Sequence, residues 1–94
     1  MNAADVLDKA ADVIVERGWC QGQFRNSAGQ VCALAAVHTA ARTTPFTWVA
    51  DEALGIIRKR VGMSVAYWND APERTADEVI TALRECAASL RASS

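Results

Sequence analysis

Much of what usually announces a function is missing from this chain of 94 residues. Its three cysteines are an odd number, so they do not make a disulfide framework. Ten basic residues stand against eleven acidic ones, for a net charge of −1. That balance gives no long-range pull toward nucleic acid or an anionic membrane. No apolar run reaches the roughly 18–20 residues needed to span a bilayer. The opening residues Met1-Asn2-Ala3-Ala4-Asp5 lack a basic stretch followed by an apolar one, so no signal peptide is expected. With no disulfide framework either, the expected compartment is the reducing cytoplasm. The glycines form no phosphate loop, and no helix-turn-helix spacing stands out.

What is present is enough for one small domain spanning residues 1–94. A chain of this length buries only roughly 60–65% of its unfolded surface, so every large side chain in its core counts. Hydrophobic residues make up 51%, but many are alanine, which lets helices approach closely while adding little buried area.

Residues 3–17 read as an amphipathic helix, with Val6, Leu7, Ala10, Val13 and Ile14 at helical spacing. Asn2 is placed to cap it and Gly18 to end it. From residue 19 to 30 the helical period disappears, and Gly22 and Arg25-Asn26-Ser27-Ala28-Gly29 predict a small hairpin or loop. Residues 31–42 are apolar nearly all round, the pattern of a central buried helix. Thr43-Thr44-Pro45 breaks it.

A further helix is predicted from Pro45 or Thr47 to Val61, with Val49, Ala53, Ile57 and Val61 as its buried stripe. Gly55 inside it suggests a close contact, since glycine costs about 1 kcal/mol against alanine there. Ser64 caps one short turn through Trp68. The clearest helix opens at Thr75-Ala76-Asp77-Glu78, a capping box followed by the stripe Ala76, Val79, Ile80, Leu83, Ala87 and Leu90. The expected fold is therefore mainly α, four to five helices around a central alanine-rich one.

The chemistry-bearing residues give weak signals. Cys20, Cys32 and His38, with Asp70 as a fourth ligand, are a candidate metal set. Their C-x11-C-x5-H spacing contains no close pair of ligands to pre-form half a site. Buried free thiols are the simpler reading. Cys32 and His38 lie about 120° apart on a helix, so they cannot act as a nucleophile and base within it. No catalytic residue, cofactor or metal is assigned, and the chain is expected not to be an enzyme. Arg58, Lys59 and Arg60, helped by Arg25 and Arg42, are candidate phosphate contacts. Three consecutive helical residues point in different directions, however, so a nucleic-acid role ranks last.

Trp19, Trp48 and Trp68 lie at or near element ends. At least two should be core. Trp48 is the best exposed candidate, because its neighbour Val49 shares the buried stripe. Trp48, Trp68 and Arg74 are the candidate interaction residues. Asp70 and Arg74 are placed to form an ion pair across the Pro72 turn.

These same residues carry a resemblance. Gly18-Trp19-Cys20-Gln21-Gly22, Val31-Cys32-Ala33-Leu34 and Trp68-Asn69-Asp70-Ala71-Pro72-Glu73-Arg74-Thr75 resemble a family of small uncharacterised proteins from bacteria and bacteriophages. The likeness covers nearly the whole chain. It implies no established activity and so transfers no functional residue. This chain departs from the pattern at Ala35, where relatives often have glycine. Relatives can carry threonine in place of Cys20, which weakens a metal or disulfide role.

The expectation is a small accessory protein that binds a protein partner, encoded by a bacterium or phage, with a homodimer as one way to cover apolar surface. The first alternative is a small-molecule or metal-binding protein using the Cys20, Cys32 and His38 region. The second is a weak nucleic-acid binder.

Overall fold

The computed structural model describes residues 1–46 and 48–93 of the chain. Thr47, one of the two starts considered for the third helix, lies outside the described residues. Five helices follow in order: α1 (Ala3–Arg17), α2 (Ala33–Ala41), α3 (Trp48–Val61), α4 (Val65–Asn69) and α5 (Ala76–Ser93). None among the described residues is long and apolar enough to cross a membrane.

Local chemistry sets most of the boundaries. At α1 the Asn2 side chain accepts from the amide of Asp5 at 2.9 Å, and the Asp5 carboxylate returns a bond to the Asn2 amide at 3.4 Å. Thr75 and Glu78 do the same for α5, at 3.0 and 3.2 Å. Ser64 caps α4 through the amide of Tyr67. Gly18 closes α1 with φ +90°, and the Gln30 side chain lies 3.1 Å from where a Cβ would sit. The positive φ favours glycine there, and a Cβ would also make the Gln30 side chain give by a few tenths of an ångström. The alanine-rich helix starts two residues later than its apolar pattern predicts, because Cys32 serves as its N-cap, its sulfur accepting from the amide of Ala35.

α1 lies against α5 on one side and α2 on the other, and α3 closes the bundle. The facing surfaces are small: Ala10, Ala33, Ala35, Ala36, Ala40 and Ala53 are all fully buried. Leu7, Ile14, Ile57 and Leu83 fill the spaces between them. The predicted stripes hold in outline. Val49, Ala53 and Ile57 are buried and Val61 half-buried; on α5, Ala82 and Cys86 join Val79, Leu83 and Ala87 while Ile80 and Leu90 sit at the margin. On the rim, Arg84 bonds Asp8 and Asp12, Arg91 bonds Asp5 and Asp8, and Arg60 pairs with Glu85. These pairs are exposed and screened by solvent, so they add little to stability.

One expectation needs correction, at Gly55. Of the hairpin and the loop considered between α1 and α2, the structure shows a loop with isolated bridges. Val31 makes a parallel bridge to Trp19 and an antiparallel one to Arg25, so three short pieces converge on one residue instead of two strands pairing along their length. Asn26 folds the tip, its side-chain oxygen accepting from the amides of Ala28 and Gln30. Gly55 marks no close approach: a Cβ there would meet nothing within 4 Å, and the position is exposed. Gly55→Ala is therefore expected to stabilise the protein by about 0.5–1 kcal/mol through helix propensity and the entropy of the unfolded chain. A raised urea midpoint with an unchanged denaturant slope is the check; a lowered midpoint would show a constraint on that face.

Candidate functional site

The two most distinctive motifs of the sequence meet each other. Asn69, the last residue of α4, is fully buried and the sole buried polar residue among the described ones. Its side-chain oxygen accepts from the indole Nε1 of Trp19 at 2.7 Å and from the amide of Ala33 at 2.9 Å. Its amide nitrogen donates to the carbonyl of Cys20 at 3.2 Å and to the carboxylate of Asp70 at 3.0 Å. Both lone pairs and both N–H groups are used, the full capacity of an asparagine side chain.

Around it, Gln21 donates to the carbonyls of Asn69 and Ala71, and Gly22 donates its amide to Asp70. Those two donors, the Gly22 amide first and the Asn69 amide second, hold the Asp70 carboxyl below its ordinary range. Trp68 is 8% exposed, with the guanidinium of Arg74 over its ring at 4.6 Å. Arg74 also donates to the Trp68 carbonyl at 3.0 Å and pairs with Glu78.

The expected Asp70–Arg74 pair is therefore not formed. Asp70 faces the 20–22 loop and Arg74 faces α5, each with its own partner. Trp19, Gln21, Gly22, Asn69 and Asp70 are bonded to one another, so this junction is a structural clasp. It also places Trp68 and Arg74 inside the fold.

The metal set does not assemble. Cys20 and Cys32 are both buried free thiols, whereas His38 is exposed. The Cys20 sulfur lies 3.5 Å from the carbonyl of Gln30, and burial above all, then Cys32 and Asp70, pushes its pKa up. Among the described residues no three His, Cys, Asp or Glu side chains are grouped to hold a metal ion. Of the three candidate phosphate contacts on α3, Arg60 is taken by Glu85.

Exposed chemistry concentrates elsewhere. A groove of about 580 Å³ is lined by Phe24, Arg25, His38, Ala41, Arg42, Thr44 and Ala50. Arg25 is held by a 2.7 Å bond to the hydroxyl of Thr39, with its guanidinium 5.0 Å from the centre of the Phe24 ring. The rings of Phe24 and His38 are 6.0 Å apart. Thr44 and Ala50 line one side of it, and near them Phe46 and Trp48 are 51% and 59% exposed with ring centres 5.6 Å apart.

Sequence reasoning missed this groove, although one signal was available. His38 and Arg42 stand four residues apart on a helix that is otherwise apolar, and such a pair shares one face.

The chain belongs to a protein family of unknown function, DUF6197, whose model matches residues 1–89. No curated protein and no solved structure is significantly similar to it.

Proposed function

With no activity to inherit from its family, we propose that this chain is a small non-enzymatic accessory protein that binds a protein partner through the face bearing Phe46 and Trp48. One observation carries the reading. Two large aromatic rings lie against each other in solvent, while Trp19 and Trp68 are drawn into the clasp. A domain of this size has few large side chains for its core, and leaving a tryptophan 59% exposed forgoes burial worth about 2 kcal/mol or more. Tryptophan and arginine are also the residue types that dominate binding energy at protein interfaces. The resemblance of the two motifs to small bacterial and bacteriophage proteins supports a bacterial or phage origin, with a host or phage protein as the partner.

The test is site-specific photo-crosslinking in cells, with the reactive residue at the exposed position Asp51, one turn from Trp48, or, as a control, at the exposed position Ala88 of α5. A discrete protein adduct is expected from position 51 and not from 88. Trp48→Ala in a chain labelled at the neighbouring exposed position Asp51 should abolish the adduct while leaving the circular dichroism spectrum unchanged. Equal labelling from both faces, or an adduct that survives Trp48→Ala, overturns the proposal.

A further inference from the structure

The groove between the 24–25 loop, the end of α2 and the start of α3 has a chemistry unlike the rest of the surface. Its charged lining is cationic only: Arg25 and Arg42, with the imidazole of His38 beside them and no carboxylate. The acidic residues of the chain gather elsewhere. Asp5, Asp8, Asp12 and Glu16 line a groove along α1, and Asp77, Glu78 and Glu85 line another beside α5.

Arg42 makes no side-chain hydrogen bond or ion pair among the described residues. Arg25 spends one N–H on Thr39 and is steadied by the Phe24 ring, which leaves the rest of its fork pre-aimed. Thr44 accepts from the amide of Phe46 through its hydroxyl oxygen, so the hydroxyl hydrogen remains free to donate. The C-terminal dipole of α2 points here with roughly half a negative charge, which two guanidinium charges outweigh.

We infer that this groove binds a small organic phosphate monoester. Two guanidinium groups match a doubly charged tetrahedral oxyanion better than a single carboxylate, because each fork can take two oxygens. The groove, at about 580 Å³, is far larger than a bare phosphate and falls in the range of small-molecule sites. Phe24, Ala41 and Ala50 supply an apolar wall for the group that carries the phosphate. Arg42 and Arg25 grip the phosphoryl oxygens, and His38 and Thr44 are within the same lining to add donors. No covalent step is involved. The inference is independent of Trp48 and of any protein partner.

Isothermal titration calorimetry of the full chain at low ionic strength tests it, with adenosine 5′-monophosphate, ribose 5-phosphate and adenosine as probes. Amide shifts in the NMR spectrum locate the site. Both phosphates are expected to bind and adenosine is not, with shifts centred on residues 24–25 and 38–44. Arg42→Ala should weaken binding about tenfold or more, the loss expected for hydrogen bonds to a charged group. It should do so with little effect on folding, since that side chain makes no hydrogen bond or ion pair among the described residues. Arg17→Ala, at an exposed arginine of α1 outside the groove, should leave binding unchanged.

The inference is overturned by the absence of binding of either ester at millimolar concentration. Equal losses in the Arg42 and Arg17 variants overturn it too, since that marks diffuse charge attraction. So does binding of a phosphotyrosine peptide where both small esters fail, which would make the groove a protein-recognition site.

Discussion

Asn69→Ala is expected to destabilise the protein by about 3–4 kcal/mol, because each buried polar group left without a partner costs roughly 1–3 kcal/mol. The substitution orphans the Trp19 indole, the Ala33 amide and the Cys20 carbonyl together. For a domain whose whole stability is of the order of 5–15 kcal/mol, that is a large fraction. The melting temperature should fall by roughly 15 °C or more.

Asn69→Asp separates the two halves of the argument. It keeps the acceptor toward Trp19 and Ala33, loses the donor to Cys20, and sets a second carboxylate against Asp70. Its folded-state pKa is raised by burial and by that neighbour, so its penalty is largest at neutral pH. The penalty should ease as the pH falls and a proton restores the missing donor. Thermal and urea unfolding of both variants at neutral and mildly acid pH provide the check. A melting point of Asn69→Ala within a few degrees of the parent would mean that water replaces the clasp at little cost.

The second large effect concerns the core. Leu7→Ala is expected to cost about 3 kcal/mol or more, the lost transfer energy plus the cavity left behind. Among the described residues, only Leu7, Ile14, Ile57 and Leu83 bring a four-carbon side chain into the fully buried core; the remainder is valine, alanine, Asn69 and Cys86. The reverse error should also show. Ala10→Leu forces methylenes between helices that approach closely at alanine, costing about 1–3 kcal/mol. Val15→Ala, at a position 65% exposed on the same helix, should change stability by less than about 0.5 kcal/mol. Urea midpoints of the three variants rank them. A Leu7→Ala variant as stable as Val15→Ala would contradict the assigned core face of α1.

The helices were legible in the sequence because their signals are local. Asn2 with Asp5 and Thr75 with Glu78 mark starts within four residues, Gly18 and Gly62 mark stops, and the apolar stripes recur every three or four positions. The clasp was legible only as a list of members. Trp68 to Thr75 was recognisable as a packed junction, but nothing local says that Asn69 bonds a tryptophan 50 residues earlier. An asparagine in a Trp-Asn-Asp-Ala-Pro run reads as turn chemistry, and its burial comes entirely from tertiary structure.

The same cause bears on the missing Asp70–Arg74 pair, since Asp70 accepts from the distant Gly22 amide while Arg74 bonds its near neighbours Trp68 and Glu78. The groove failed for another reason. Its basic residues come from a loop and a helix end, and the helix hydrophobicity that makes α2 central drew attention from the one face that is not apolar.

The clasp has a consequence for how the molecule opens. The first free amide of α2 is bonded by a side chain from α4, and the loop before α2 is bonded to the backbone after α4. Neither segment can be released alone without stranding donors in the other. Amides at Cys20, Gly22, Val31 and Ala33 should therefore exchange with deuterium in step with those around Asn69 and Asp70. Residues 18–33 and 65–74, remote in sequence, would then behave as one cooperative unit, while the exposed rim of α5 frays independently.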